Sequence, residues 1–366
     1  MMNLIKPTFL ILLLFTKVTC AQSSRKSNFT VTGYYAGNTT AIDSIEVDKL
    51  THLIFSFSHL DSNRISLGGA SDTIILNKML LLKQKNPSLK ILVSLGGWGG
   101  CKTCSTVFAD SKDRIEFARS VKALIDHFSL DGIDLDWEYP AIEGYPDHPY
   151  SPQDRINFTE LIRALRKTLG KEQEISFAAG GFGRFIDESV EWDKVMRMVN
   201  RVNLMSYDLI GGYSTISGHH TPLYSTTFQK ESTDNGVSML IKKGVPASKI
   251  VIGAAFYARL FLVADTLNHG LNRPGIFHHG ISYKNLYDSV NSGNGFIQYL
   301  DTVAAAQYAF NKDRLLFATY DDSLSVSRKS KYAIKNNLNG IMFWQLMDDK
   351  FKGGLLNAIN TEMKLQ

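Results

Sequence analysis

The chain has 366 residues, 44% hydrophobic and 20% charged, an ordinary globular composition with length enough for one large domain or two. The formal charge of +5 drops to +3 once residues 1–21, with Lys6 and Lys17, are removed, and no Lys/Arg cluster is interleaved with aromatics. That balance argues against a nucleic-acid partner.

The chain opens with Lys6, an apolar run from Phe9 to Phe15, and the small residues Thr19 and Ala21 before Gln22. This is the pattern of a secretory signal peptide over residues 1–21, too short to anchor in a bilayer, and it predicts a chain exported to the extracellular or periplasmic space. A lipid anchor on Cys20 is the lesser alternative, because Lys17 is a poor residue three places before the acceptor. No later apolar run is long enough to span a membrane, so the mature chain is expected to be soluble; a monomer is expected as well.

Eight short β-rich runs follow: Val31–Gly37, Leu53–Phe57, Ile91–Leu95, Ile133–Tyr139, Ile175–Ala179, Val202–Tyr207, Ile250–Tyr257 and Gly340–Gln345. Between several of them apolar residues recur at three and four, as in Asp113–Phe128 and Asp154–Leu169, which predicts helices starting near those aspartates. Alternation of this kind predicts an α/β chain, a (β/α)8 TIM barrel over residues 28–366, with a doubly wound sheet as runner-up. The interval Arg259–Asn339 is too long for one strand-to-strand step. Residues 260–318 therefore predict a small α+β insertion between strands 7 and 8, with short strands and a helix near Thr302–Phe310. It opens on the C-terminal face, where the active sites of such barrels lie.

Cys101 and Cys104 remain in the mature chain. Zinc would need further ligands at metal spacing, and a redox pair would need a thioredoxin-like start; neither is present. A small disulfide clipping one loop is the expected state in an oxidising compartment, and no metal is expected.

The fourth run carries the chemistry. Residues 131–140 read D-G-I-D-L-D-W-E-Y-P. On a strand Asp134, Asp136 and Glu138 share one face, about 7 Å apart, while Ile133, Leu135 and Trp137 take the other. A calcium loop fails: counted from Asp131 its required Gly and terminal acid fall on Asp136 and Ile142, and counted from Asp134 on Tyr139 and Tyr145. A solvated acidic edge would not alternate with Ile, Leu and Trp. A carboxylate ladder packed into a barrel raises at least one pKa by desolvation and mutual repulsion, which suits general acid catalysis such as glycosidic cleavage.

The pattern D-x-x-D-x-D-x-E closed by Tyr139-Pro140 resembles the catalytic strand of glycoside hydrolase family 18, the chitinases and their relatives. The likeness extends along the chain. Ser94-Leu95-Gly96-Gly97-Trp98 is similar to the family's S-x-G-G, Met205-Ser206-Tyr207-Asp208 to M-x-Y-D, and Phe256-Tyr257-Ala258-Arg259 to F-Y-G-R with Ala in place of Gly. Phe343-Trp344-Gln345 falls where the family sets a Trp beneath the sugar. Residues 218–224 resemble a loop common in the family, and the histidines there are not expected to be ligands.

The resemblance implies a chitinase acting on chitin or N-acetylglucosamine oligosaccharides with no cofactor. The substrate's own N-acetyl oxygen attacks C1 to form an oxazolinium ion. Glu138 is then the general acid and later the base, Asp136 holds the acetamide nitrogen, Asp134 shares a proton with Asp136, and Tyr207 donates to the acetamide oxygen. Trp344 and Asp208 bind the same sugar. Tyr35, Phe55, Gly97, Trp98, Met205 and Arg259 complete the expected substrate contacts, with core packing an equal alternative for Tyr35 and Phe55. Two rivals share the barrel: an endo-β-N-acetylglucosaminidase acting on glycoprotein glycans, and a non-catalytic lectin, which is disfavoured because Glu138, Asp136 and Tyr207 are all present.

Overall fold

The structure, a computed structural model, describes residues 29–365. The leader read over residues 1–21, including Cys20, lies outside the described residues. In chain order the strands are β1 (Thr30–Tyr35), β2 (His52–Asp61), β3 (Arg64–Ser66), β4 (Lys90–Gly96), β5 (Gly132–Asp136), β6 (Glu174–Gly180), β7 (Arg201–Met205), β8 (Ile250–Ala255), β9 (Tyr257–Val263), β10 (Gly275–Ser282), β11 (Ile297–Asp301), β12 (Ala306–Asn311), β13 (Leu316–Tyr320) and β14 (Gly340–Trp344). The helices are α1 (Ala70–Leu82), α2 (Cys104–Ala109), α3 (Ser111–Phe128), α4 (Asp154–Leu169), α5 (Gly183–Glu188), α6 (Trp192–Val195), α7 (Thr233–Lys242), α8 (Tyr283–Ser289), α9 (Ser323–Lys335) and α10 (Leu355–Lys364).

Strands β1, β2, β4 to β8 and β14 pair in parallel, and β1 closes the ring by pairing with both β14 and β2. This is the expected (β/α)8 barrel, with α-helices between successive strands except between β1 and β2, where two short 3-10 turns, Ala41–Ser44 and Val47–Lys49, make the connection. Period-two alternation sorts its side chains into two layers. One set, including Val31, Leu53, Ile91, Ile133 and Ile175, meets the apolar stripes of the surrounding helices. The other, Tyr34, Ile54, Leu92, Ala178, Met205, Val251 and Met342, fills the barrel interior. Helix α3 shows the local logic. The Asp110 side chain accepts from Lys112 N at 2.6 Å as N-cap, so the helix starts two residues ahead of Asp113, and Phe117, Val121 and Ile125 recur on its buried face. Helix α4 starts at Asp154 as expected.

The N-terminal end of the barrel is closed by charge. Glu174 accepts from Arg201 at 2.7 Å and lies 3.2 Å from His52 Nε2, all three at the starts of their strands. Burial would raise the Glu174 pKa, but the His52 and Arg201 contacts overcome it and hold the carboxyl at about 2.

The chain leaves β8 and enters a second sheet, antiparallel, in the order β10-β9-β13-β12-β11. Its one helix of more than a single turn is α8, between β10 and β11. The helix expected near Thr302–Phe310 is absent: residues 306–311 form β12, paired with β11 on one side and β13 on the other. The run of alanines there favours a helix locally, but Ala305 sits at φ 51°, outside the right-handed helical region. Tyr308 and Phe310 then alternate with Ala309, packing with Phe261 and Phe317 on one face of the sheet. Tertiary pairing overrides propensity.

Candidate active site

The site forms at the C-terminal ends of the barrel strands, and register assembles it. Ser94 on β4 lies opposite Asp134 on β5, and Asp134 opposite Ser176 on β6. Asp134 accordingly accepts from Ser94 at 2.8 Å, Ser176 at 2.6 Å, Asn203 at 3.1 Å and the Tyr34 hydroxyl at 3.1 Å. It is fully buried; burial raises its pKa and the four hydrogen bonds oppose the rise.

Asp136, one step nearer the strand end, is treated differently. Its Oδ1 is buried with no hydrogen-bond partner among the described residues. Burial first, and then the charges of Glu138 and Asp134, push its pKa well above the carboxylate range. Glu138 lies two residues beyond the end of β5, with the alternation maintained: Trp137 turns outward onto Phe108 and Phe158. Burial raises Glu138 to about 7, a hydrogen bond with Tyr139 pulls against it, and the Asp208 charge adds to it. The three acids thus differ: one saturated with donors, one pushed towards its neutral form, and one poised to carry or release a proton near neutrality.

Tyr207, two residues beyond β7, has its hydroxyl pKa pushed well up by burial first and then by the charges of Asp136, Glu138, Asp208 and Asp134, and that hydroxyl meets Met342 Sδ at 3.9 Å. Asp208 follows at φ 56° and takes a fork from Arg259, with Nη2 2.5 Å from Oδ2. Buried His220 Nδ1 stands 3.5 Å from the same carboxylate. Burial would raise Asp208, but the Arg259 and His220 contacts and charges win and hold it well below its ordinary value. His220 itself is pushed down by burial, with the Asp208 contact and charge pulling the other way. Arg259 also lies over the Tyr257 and Phe277 rings, 5.5 and 5.2 Å from their centroids. Ala258 is fully buried in β9 and leaves this arrangement intact.

Aromatic rings surround the acids. Trp344, ending β14, stacks on Phe57 at 5.4 Å with 16° between planes and lies 6.0 Å from Tyr34. Trp98 is 47% exposed at the rim, with Tyr145 at 5.5 Å and Tyr139 and Tyr213 each at 6.3 Å. Met205 packs inside the barrel. The glycines between Ser94 and Trp98 are tightly placed. A Cβ at Gly96 would lie 2.2 Å from the Asp136 carbonyl oxygen, and one at Gly97 would lie 2.5 Å from the Phe57 ring. Gly97 N donates to Asp136 O at 2.8 Å. Cys101 and Cys104 are joined in a disulfide just beyond, Cα atoms 5.3 Å apart. Among the described residues no group of three or more His, Cys, Asp or Glu side chains is disposed to hold a metal.

Two expected contacts do not reach the site. Tyr35 and Phe55 are fully buried in the outer layer facing the helices, and the Tyr35 hydroxyl donates to Asn38 O at 2.5 Å. Strand parity decides this. Tyr34 and Ile54 take the inward positions on those strands, so the neighbours of each must point outward. The inward aromatics are Tyr34 and Phe57. Sequence reasoning passed over Ser176 and Asn203 and placed Ser94 only within a motif, not as a donor to Asp134; their signal is a small polar residue at an inward position of an otherwise apolar strand.

Comparison with known proteins places this geometry. The sequence model described as Glycosyl hydrolases family 18 matches residues 30–349. The chain is 29% identical over 337 residues to Chitotriosidase-1 of Mus musculus, spanning 86% of this chain and 70% of that protein. It is 30% identical over 323 residues to Chitinase A1 of Niallia circulans, spanning 80% of this chain and 46% of that protein. Among solved structures, a glycoside hydrolase family 18 N-acetylglucosaminidase from Paenibacillus barengoltzii superposes with a TM-score of 0.83 at 34% identity, covering 91% of this chain and 99% of that one. The Group IV chitinase of Ostrinia furnacalis in complex with allosamidin superposes with a TM-score of 0.84 at 25% identity, covering 92% and 99%. No described helix is long and apolar enough to cross a membrane.

Proposed function

This chain belongs to glycosyl hydrolases family 18, and from that premise we propose that it is an exported chitinase that cleaves β-1,4 bonds between N-acetylglucosamine units with retention. The observation that carries the reading is the contrast between Asp136, with a buried unpartnered oxygen, and Glu138, held at about 7 beside it. Glu138 protonates the leaving glycosidic oxygen. The substrate's acetamide oxygen attacks C1 as that bond breaks, giving an oxazolinium ion. Asp136 Oδ1 accepts the acetamide N–H, and the Tyr207 hydroxyl donates to the acetamide oxygen, setting it in line. Burial first, and then the charges of Glu138 and of Asp134, which is anchored by its four donors, disfavour ionisation of Asp136, so the cleft does not carry three full charges. Glu138, now a carboxylate, then takes a proton from water as it opens the oxazolinium ion. Trp344, backed by Phe57, is the platform for the reacting sugar. Asp208, Met205, Gly97, Trp98 and Arg259 shape the binding surface around it.

Glu138→Gln tests the proposal. It is expected to lower turnover of N-acetylglucosamine hexamer by about 10²–10⁴-fold, the usual worth of a general acid, while oligosaccharide binding persists. Turnover near wild type would refute the assignment, and inverted products seen by NMR would refute the mechanism. A second reading, an N-acetylglucosaminidase releasing single sugars, rests on the likeness to the Paenibacillus barengoltzii structure. A product mixture of short oligomers supports the first reading, and monosaccharide alone supports the second.

A further inference from the structure

Away from the cleft, a groove of about 510 Å³ opens on the outer wall of the barrel, between α9, the start of α7 and the turn joining β11 to β12. None of its lining residues belongs to the site described above. Its floor is one stripe of α9. Arg328, Lys331 with Tyr332, and Lys335 recur at the three- and four-residue spacing that places side chains on a common helix face. The opposite wall carries Tyr224, 41% exposed, with its ring 6.1 Å from that of Tyr332. The turn is fixed to this wall, since Leu223 N and Tyr224 N both donate to Ala304 O at 3.1 Å.

The groove is unbalanced in charge. Its only acid, Asp234, accepts the Tyr332 hydroxyl at 2.8 Å. Lys331 is shared with Glu362 at 3.4 Å, while Arg328 and Lys335 have no carboxylate partner among the described residues. Two unpaired cations around a preformed hollow favour an anion, and a guanidinium fork favours a planar or tetrahedral oxyanion held through two oxygens. A simple anion has no use for the exposed Tyr224 face. An apolar ring beside cations matches a sugar, whose C–H face stacks while its substituent pairs with the charges.

We propose that this groove is a second saccharide site, selective for a sugar bearing an anionic substituent, carboxylate or sulfate. It holds such a chain on the barrel wall, apart from the cleft that handles neutral N-acetylglucosamine units.

The test is isothermal titration of the full chain with three probes: a sulfated N-acetylglucosamine oligosaccharide, a uronate-containing oligosaccharide and inorganic sulfate. Saturable binding of at least one anionic sugar is expected, tighter than sulfate by tenfold or more. The affinity is expected to fall at least tenfold in Arg328→Gln/Lys335→Gln and several-fold in Tyr224→Ala, with hexamer hydrolysis unchanged in both variants. Which sugar binds identifies the substituent. Absence of binding by both sugars, binding that survives the double substitution, or sulfate binding as tightly as the sugars would overturn the proposal. Because hydrolysis is read separately, failure here is distinct from failure of the chitinase assignment.

Discussion

Asp208→Asn isolates the electrostatic contribution that sets the working pH. Asp208 is a carboxylate at neutral pH, held so by Arg259 and His220, and its charge is one of the causes that raise Glu138 to about 7. Removing that charge leaves Arg259 cationic and unmatched, and both changes favour ionised Glu138. The Glu138 pKa therefore falls. It stays above the usual value of 4.5, because burial, the largest cause, is untouched. A drop of about one unit corresponds to about 1.4 kcal/mol of lost differential interaction. With Glu138 at about 7, about half of it is protonated at pH 7, and after such a drop only about a tenth is. The rate then falls about fivefold at pH 7 and hardly changes at pH 5, where the acid is protonated in both proteins. The assay is kcat/KM for N-acetylglucosamine hexamer from pH 4 to 9, in which the alkaline limb reports Glu138. A limb that stays in place or moves to higher pH would refute the electrostatic reasoning. A uniform loss at all pH values would assign Asp208 to sugar binding alone.

Gly97→Ala places a Cβ within 2.5 Å of Phe57 at a φ of +78°, displacing the ring that backs Trp344. Activity is expected to drop about 10- to 100-fold through misplaced substrate, measured as a rise in KM together with a loss in kcat. At the other end of the barrel, Glu174 has its folded pKa depressed from 4.5 to about 2. Its stabilisation is present above pH 4.5 and is lost as pH falls through 2, a change on the order of 3 kcal/mol. Glu174→Gln should be less stable at neutral pH and show a flatter decline between pH 4.5 and 2 in urea titrations. Lys329 and Asp321 form a 2.6 Å ion pair with both side chains essentially unexposed. Lys329→Met leaves the buried Asp321 carboxylate without its cation, with only the neutral donors Thr221, Ala255 N and Ser325, and should cost about 3–5 kcal/mol in denaturant unfolding, and adding Asp321→Asn should recover part of that loss.

Barrel strands and the catalytic run were legible in the sequence because their information is local. Each strand is a short apolar run, and the i, i+2 spacing of Asp134, Asp136 and Glu138 assigns them one face whatever surrounds them. The motif's resemblance adds the order in which partners appear along the chain. Neither source says which neighbours register brings together. Asp134 and Asp136 are the same residue type two positions apart, yet one meets Ser94, Ser176, Asn203 and Tyr34, and the other keeps a bare oxygen. Tyr34 and Tyr35 are equally aromatic, and parity alone sends one inward and the other into the helical layer. The alanines before Tyr308 favour a helix until strands on both sides claim the segment. Pattern along the chain determined which residues could do the chemistry. Burial, hydrogen-bond partners and pKa depend on atoms distant in sequence, such as the β1 and β7 side chains that meet Asp134, and only the closed barrel brought those together.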